Sequence, residues 1–233
     1  MTSQPDNTAT NGKVYSSAQG ALDGISNGST VLVAGFAGSG VPESLLRGLA
    51  ATGVSDLTLI CQGTWLPQDG TFGIADLVAA GQIKKMVSPM PFHPESGGPV
   101  KELWEAGELE LDVVPQGILA ERLRAGGAGI GGVFLPTGAE TRFTEGKELR
   151  PFEGKEHVLE FALKADFALL RAKSADTLGN MVYEGTSRNW NPIMAMAAAV
   201  TVAEVDQVVE PGGIDPEFVI TQAIFIDRLV LSA

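Results

Sequence analysis

The chain has 233 residues, 44% hydrophobic and 19% charged, long enough to bury a substantial core and unlike a disordered or fibrous polypeptide. Its formal net charge of −12 disfavours a surface that grips nucleic-acid phosphates. The one cysteine, Cys61, excludes an internal disulfide, a CxxC redox pair and a cysteine-rich zinc site, so the sequence argues for no metal and a reducing, cytoplasmic setting.

Residues 1–12 contain no large apolar side chain except Met1 and are expected to be a mobile tail without the apolar core of a signal peptide. No apolar run approaches the length that crosses a bilayer. Residues 13–233 are read as one domain. Ala18, Leu22 and Ile25 suggest a helix, Asn27-Gly28 a turn and Thr30 to Phe36 a strand. The unbroken apolar character of that strand points to burial on both faces, as in a parallel sheet. A loop to Gly40 leads into a helix that starts around Val41-Pro42, where proline suits a first turn.

The alternation then repeats. Leu57 to Cys61 reads as strand, Ile74 to Ala80 as helix, Lys85 to Ser88 as strand, Val100 to Ala106 as helix, Leu109 to Val114 as strand and Ile118 to Arg124 as helix. Strands alternating with helices imply an α/β fold, an open, mostly parallel sheet covered by helices. The run from Gly126 to Gly132 is too rich in glycine for a regular element and reads as a loop beside a ligand or a partner. Glu145-Gly146-Lys147-Glu148 recurs as Glu153-Gly154-Lys155-Glu156, which suggests a β-hairpin. Further strands are expected at Phe167 to Ala172, Val200 to Val205 and Ile224 to Leu231, with a helix at Ile193 to Ala199.

The glycine loop after the first long strand offers two readings. It is either a tight turn, or a cradle of N–H donors at a positive helix end where an anion or thioester oxygen binds. Gly35, Gly38 and Gly40 spell neither GxGxxG nor GxxxxGK[ST], which argues against NAD and nucleoside triphosphates. His93 and His157 belong to different elements and form no triad or HExxH pattern; Cys61, after a buried strand, reads as an inert small thiol or a substrate neighbour.

Several segments in order resemble the A (alpha) subunit of the 3-oxoacid CoA-transferase family. Asn27-Gly28 through Phe36, Gly40 and Pro42 match its glycine-loop signature, with Ala34 in place of the usual first glycine. Val114-Pro115-Gln116-Gly117-Ile118-Leu119-Ala120-Glu121-Arg122-Leu123-Arg124-Ala125-Gly126-Gly127-Ala128-Gly129 is similar to its PQG segment almost letter for letter. Pro136-Thr137-Gly138, Glu145 to Glu148, Ala165 to Leu169, Gly179-Asn180 and Arg188-Asn189-Trp190-Asn191-Pro192 extend the likeness over about residues 14–231.

The resemblance implies the CoA-transferase fold and a ping-pong exchange through a glutamyl-CoA thioester, with coenzyme A as substrate rather than a resident cofactor. In the family the nucleophilic glutamate lies in a Glu-Asn-Gly motif of the beta subunit. No such motif occurs here, and Glu184-Gly185 does not supply one. The implied assembly is a heterodimer or heterotetramer with a beta subunit. By the same resemblance, Gln116 serves the carbonyl oxygens, its alternative role being to satisfy loop backbone. Gly35, Phe36, Gly38, Gly40, Gln62, Trp65 and Glu140 are the candidate substrate contacts. Gln62 replaces the family's asparagine, Trp65 adds bulk, Ala139-Glu140 replaces Tyr-Gly, and the proline-rich Ser88 to Pro94 also departs. These changes point to altered acceptor specificity; as a nucleophile, Glu140 ranks below a solvated loop carboxylate. The implied function is CoA transfer between an acyl-CoA such as succinyl-CoA and a 3-oxo acid such as acetoacetate or 3-oxoadipate. The alternatives are acyl-CoA hydrolysis on the same fold and a noncatalytic binding or regulatory subunit.

Overall fold

A computed structural model describes residues 9–64, 71–93 and 96–233. In chain order its strands and helices are β1 (Ala9–Asn11), β2 (Val14–Tyr15), α1 (Ala18–Ala21), β3 (Thr30–Val33), α2 (Glu43–Thr52), β4 (Leu57–Cys61), α3 (Ile74–Ala79) and β5 (Ile83–Ser88). There follow α4 (Gly98–Glu105), β6 (Glu110–Val113), α5 (Gln116–Gly127), β7 (Gly132–Leu135), β8 (Leu149–Phe152), β9 (Lys155–Phe161) and β10 (Ala165–Asp176). The chain ends with β11 (Met181–Val182), α6 (Asn191–Met196), β12 (Ala198–Val209) and β13 (Arg228–Leu231).

Among the described residues, the large sheet runs β1-β2-β13-β12-β10-β3-β4-β5-β6, with β11 on β10. From β2 to β6 every neighbouring pair is parallel. Both faces are buried, which is why the strands read as apolar runs. On β3, Val31 and Val33 join one core with Leu45, Leu46 and Leu49 of α2, Leu77 of α3 and Val100 of α4. Leu32 points the other way, into a core with Ile118, Leu119 and Leu123 of α5 and Met194 of α6.

Strands β3 to β6 follow one another outward across the sheet with α2, α3 and α4 on one face. The chain then crosses through α5 on the opposite face and returns beside β3 as β10. The adjacent strands β3 and β10 thus send their following helices to opposite faces, which opens a crevice at their carboxyl ends. A second, antiparallel sheet, β7-β9-β8, lies between these halves in sequence and contains the expected hairpin. The second Glu-Gly-Lys-Glu copy makes its turn, with Glu153 and Gly154 at φ 50° and 76°.

Several boundaries depart from the sequence reading. Ala9–Asn11 pairs with Val14–Tyr15, although composition predicts a mobile tail as far as Gly12. The strand read as Ile224 to Leu231 begins only at Arg228, because Ala223–Phe225 forms a 3-10 turn. The glycine run is not a loop throughout. Gly126 and Gly127 are the last turn of α5, and Gly132 opens β7. A Cβ on Gly126 would stand 2.0 Å from the Leu163 carbonyl oxygen, and one on Gly127 would stand 2.6 Å from Met196 Cβ. These two glycines let the chain's own segments approach α5.

Candidate active site

Of the candidates, Gly35, Phe36, Gly38 and Gly40 follow β3, Gln62 follows β4 and Gln116 follows β6, all at the carboxyl ends of parallel strands, whereas Glu140 follows β7 of the antiparallel sheet. After β3, Phe36 and Ser39 exchange two backbone hydrogen bonds of 2.9 Å, closing a hairpin with Ala37 and Gly38 at its tip. Both tip residues have positive φ, 51° and 83°, the geometry of a tight two-residue turn. Phe36, Ala37 and Gly38 are exposed, whereas Gly35 is buried. A Cβ on Gly35 would meet Val41 Cγ2 at 2.5 Å, and one on Gly40 would meet the Ser187 carbonyl oxygen at 2.8 Å. Gly35 and Gly40 therefore make room for the fold, and of the three candidate glycines Gly38 is the one that faces open space.

Of the two readings of the glycine loop, a tight turn or an anion cradle, the second needs the positive end of α2 to be open to a substrate. It is filled instead by the chain's own Glu204 on β12. This fully buried carboxylate accepts from Ser44 N at 2.7 Å and Leu45 N at 3.1 Å, and from the Arg171 guanidinium. Burial pushes the Glu204 pKa up, opposed by Arg171 and the two amides. Arg171 also pairs with Asp206, and Lys173 pairs with Glu184 at 3.1 Å and Asp206 at 3.6 Å. The hydrogen bond and charge of Glu184 raise the Lys173 pKa. Arg171, Lys173, Glu184 and Asp206 line a cleft of about 370 Å³ with Gly38, Ser39 and Gly40. Its cations are already matched by carboxylates.

Gln116 opens α5 directly after β6, with Pro115 before it and no side-chain cap on the helix. It is exposed, as is Gly117. The loop that carries Glu140 packs over this turn: a Cβ on Gly117 would lie 3.7 Å from Thr137 Cγ2, and one on Gly138 would lie 3.1 Å from Ile118 Cδ1. Glu140 is exposed at φ 60°. A second cleft, of about 450 Å³, begins at Val114, Pro115 and Ile118 and reaches Phe143 and Leu159.

Gln62 differs from these. It is 1% exposed, with Nε2 3.4 Å from Met90 Sδ, so its amide faces packed chain. Trp65 and Pro94 lie outside the described residues. Cys61 is buried at the end of β4, and that burial pushes its thiol up to about 12 despite the opposing pull of Ser88 and the Gly63 backbone. It is a packed side chain, not a nucleophile. No group of three or more potential metal ligands exists among the described residues, and none of their helices is long and apolar enough to cross a membrane.

Sequence reasoning overlooks Arg171, Glu204 and the amides of Asn189 and Asn191. A signal for the first two is present: each is the single charge of an apolar stretch, in Ala168-Leu169-Leu170-Arg171-Ala172 and in Val202-Ala203-Glu204-Val205. Charges so placed in a doubly covered sheet require partners.

A mostly parallel sheet with its glycine hairpin and uncapped α5 turn on the carboxyl side is the architecture of an α/β enzyme. Residues 15–232 match the family model described as Coenzyme A transferase. The chain is 48% identical over 218 residues to the A subunit of the 3-oxoadipate CoA-transferase of Pseudomonas putida, covering 94% of this chain and 93% of that one. It is 47% identical over 222 residues to the A subunit of the succinyl-CoA:3-ketoacid coenzyme A transferase of Xanthomonas campestris pv. campestris, covering 95% and 89%. Its fold also superposes on an acyl-CoA transferase from E. coli O157:H7, solved as a thioester complex with CoA, with a TM-score of 0.82 at 21% identity. That match covers 95% of this chain but 47% of the solved chain, so this protein spans about half its length. The chain belongs to the coenzyme A transferase family, and its curated relatives are named as subunits of such enzymes.

Proposed function

We propose that this chain is the alpha subunit of a heteromeric enzyme that moves CoA from succinyl-CoA or another acyl-CoA to a 3-oxo acid such as acetoacetate or 3-oxoadipate, working with a separate beta subunit. The observation that carries the reading is the exposed Gln116 at the uncapped first turn of α5, flanked by the Thr137 to Glu140 loop, in a chain with no Glu-Asn-Gly motif.

The chemistry divides between the two chains. A glutamate carboxylate on the beta chain attacks the thioester carbonyl, giving an acyl-glutamyl anhydride and releasing CoA thiolate. The thiolate then attacks the glutamyl carbonyl, which leaves glutamyl-CoA and frees the donor acid. The acceptor carboxylate reverses both steps and departs as its CoA thioester. Each step builds negative charge on a carbonyl oxygen. The Gln116 amide donates to that oxygen without changing its own charge, and the N–H groups of the first turn of α5 add a favourable field. Phe36 and the Ala37-Gly38 tip contact the acyl-CoA. Glu140, near the turn of Gln116, bears on the choice of acceptor, as does Trp65, while Gln62 is buried against Met90. The setting is cytoplasmic, and no resident cofactor takes part.

The test is copurification with the product of a neighbouring gene that encodes a Glu-Asn-Gly motif, followed by thioester assays with and without acceptor acids. Transfer requires acceptor and both chains. Equal release of free acid without acceptor would establish hydrolysis instead, and an inactive complex would leave a binding subunit.

A further inference from the structure

Asn189 and Asn191 lie in Arg188-Asn189-Trp190-Asn191-Pro192, a segment to which the chemistry above assigns no task. Their side-chain amides reach consecutive carbonyls of the glycine hairpin. Asn189 Nδ2 donates to Ser39 O at 3.0 Å and to Thr186 O at 2.7 Å. Asn191 Nδ2 donates to Gly40 O at 3.3 Å and to Ser187 O at 2.7 Å, while its Oδ1 accepts from Arg171 N at 2.8 Å. The hydroxyls of Ser39 and Thr186 add a contact at 3.0 Å.

The hairpin needs such restraint. Ala37 sits at φ 51°, a conformation disfavoured for a residue with a Cβ, and it persists only where surrounding contacts over-determine it. The Phe36 to Ser39 bonds close the turn but do not attach it to the sheet. Ala34 N bonds Leu169 O of β10 at the base of the hairpin, and beyond it attachment comes from the Ser39–Thr186 hydroxyl contact, the two asparagines and Gly40, whose lack of a Cβ lets Ser187 and Asn191 approach. Asn191 is completely buried and also serves β10, so it anchors the base; Asn189 is half-buried and acts on the hairpin itself.

We propose that Asn189, supported by Asn191, is a positioning residue for CoA transfer: it locks the carbonyl of Ser39 so that the exposed Ala37-Gly38 tip meets the substrate in one geometry. The inference rests on the proposed transferase reading. A tip that wanders by about an ångström costs turnover rather than folding.

The experiment uses the complex with its beta subunit. Asn189→Ala is expected to lower kcat on the order of 10- to 100-fold with a much smaller change in the KM for acyl-CoA, and with the beta subunit still bound. Asn189→Asp keeps the shape but loses the donor, and is expected to fall at least as far. Native-state hydrogen exchange at Ser39, whose N–H closes the turn, is expected to quicken by roughly tenfold or more in Asn189→Ala, as local opening becomes easier. Adding Ala37→Gly, which removes the penalty at positive φ, is expected to return part of the lost turnover. Wild-type kcat in Asn189→Ala, or unchanged exchange at Ser39, overturns the proposal. Absence of transfer in the wild-type complex would instead overturn the transferase reading, and hydrogen exchange would still judge the hairpin contact.

Discussion

Arg171 and Glu204 stand opposite each other in register on the parallel strands β10 and β12, and the guanidinium of one bonds the fully buried carboxylate of the other. The second oxygen of Glu204 receives two N–H groups from the first turn of α2. One carboxylate thus ties the sheet to the helix that follows the glycine hairpin.

Removing Arg171 leaves that carboxylate buried without its counter-charge. Arg171→Ala is expected to destabilise the chain by about 3 kcal/mol, in urea unfolding at neutral pH, with a double substitution to well-packed apolar residues recovering much of the loss. The deficit should depend on pH. Burial already holds the Glu204 pKa above its ordinary value, and losing Arg171 raises it further. The folded state then binds its proton more tightly than the unfolded chain, so stability is retained in acid and lost as pH rises above the ordinary carboxylate range. A deficit that is constant or larger in acid would contradict this account.

Gln116 is exposed on the first turn of α5, so its replacement should spare the fold. In the reconstituted complex Gln116→Ala is expected to reduce turnover on the order of 10- to 1000-fold, the effect of losing one oxyanion donor. Melting temperature should stay within a degree or so, as for a surface change without buried partners. Unchanged turnover would remove Gln116 from the chemistry.

The glycine run makes a contrast between two of its members. Gly126→Ala drives a Cβ against the Leu163 carbonyl and is expected to cost about 1–3 kcal/mol in chemical denaturation. Gly131 has ordinary φ and no atom within 4 Å of an added Cβ, so Gly131→Ala should be close to neutral. Equal effects would mean that α5 can shift away from Leu163.

Cys61 should resist alkylation by iodoacetamide in mildly alkaline buffer in the folded chain and react readily in urea, since burial holds its thiol near 12. Rapid labelling of folded protein would show that the end of β4 opens to solvent.

Periodicity makes β3, β4, β5, α2, α3 and α5 legible, because residues buried on both faces or along one stripe leave a direct trace in the chain. Cys61 closes β4 at the position the pattern indicates. The trace fails where conformation depends on distant contacts. Gly126 looks like a loop until the Leu163 carbonyl is seen against α5, and Ile224 looks like strand although Ala223 to Phe225 turns. Composition marks the glycine hairpin as a candidate ligand-facing loop only in outline; which glycine faces solvent depends on the positions of Val41 and Ser187.

By itself, the sequence determined an α/β fold with a mostly parallel sheet, membership of a recognisable family through ordered motifs, and the absence of a Glu-Asn-Gly motif, since all three are properties of order along the chain. The tertiary structure alone decided that Glu204 fills the end of α2, that Gln62 is buried while Gln116 is exposed, and that Asn189 and Asn191 hold consecutive carbonyls about 150 residues away. Hydrogen bonds and burial depend on spatial neighbours, and in this fold β10, β12 and β3 become neighbours only after the chain has crossed the sheet.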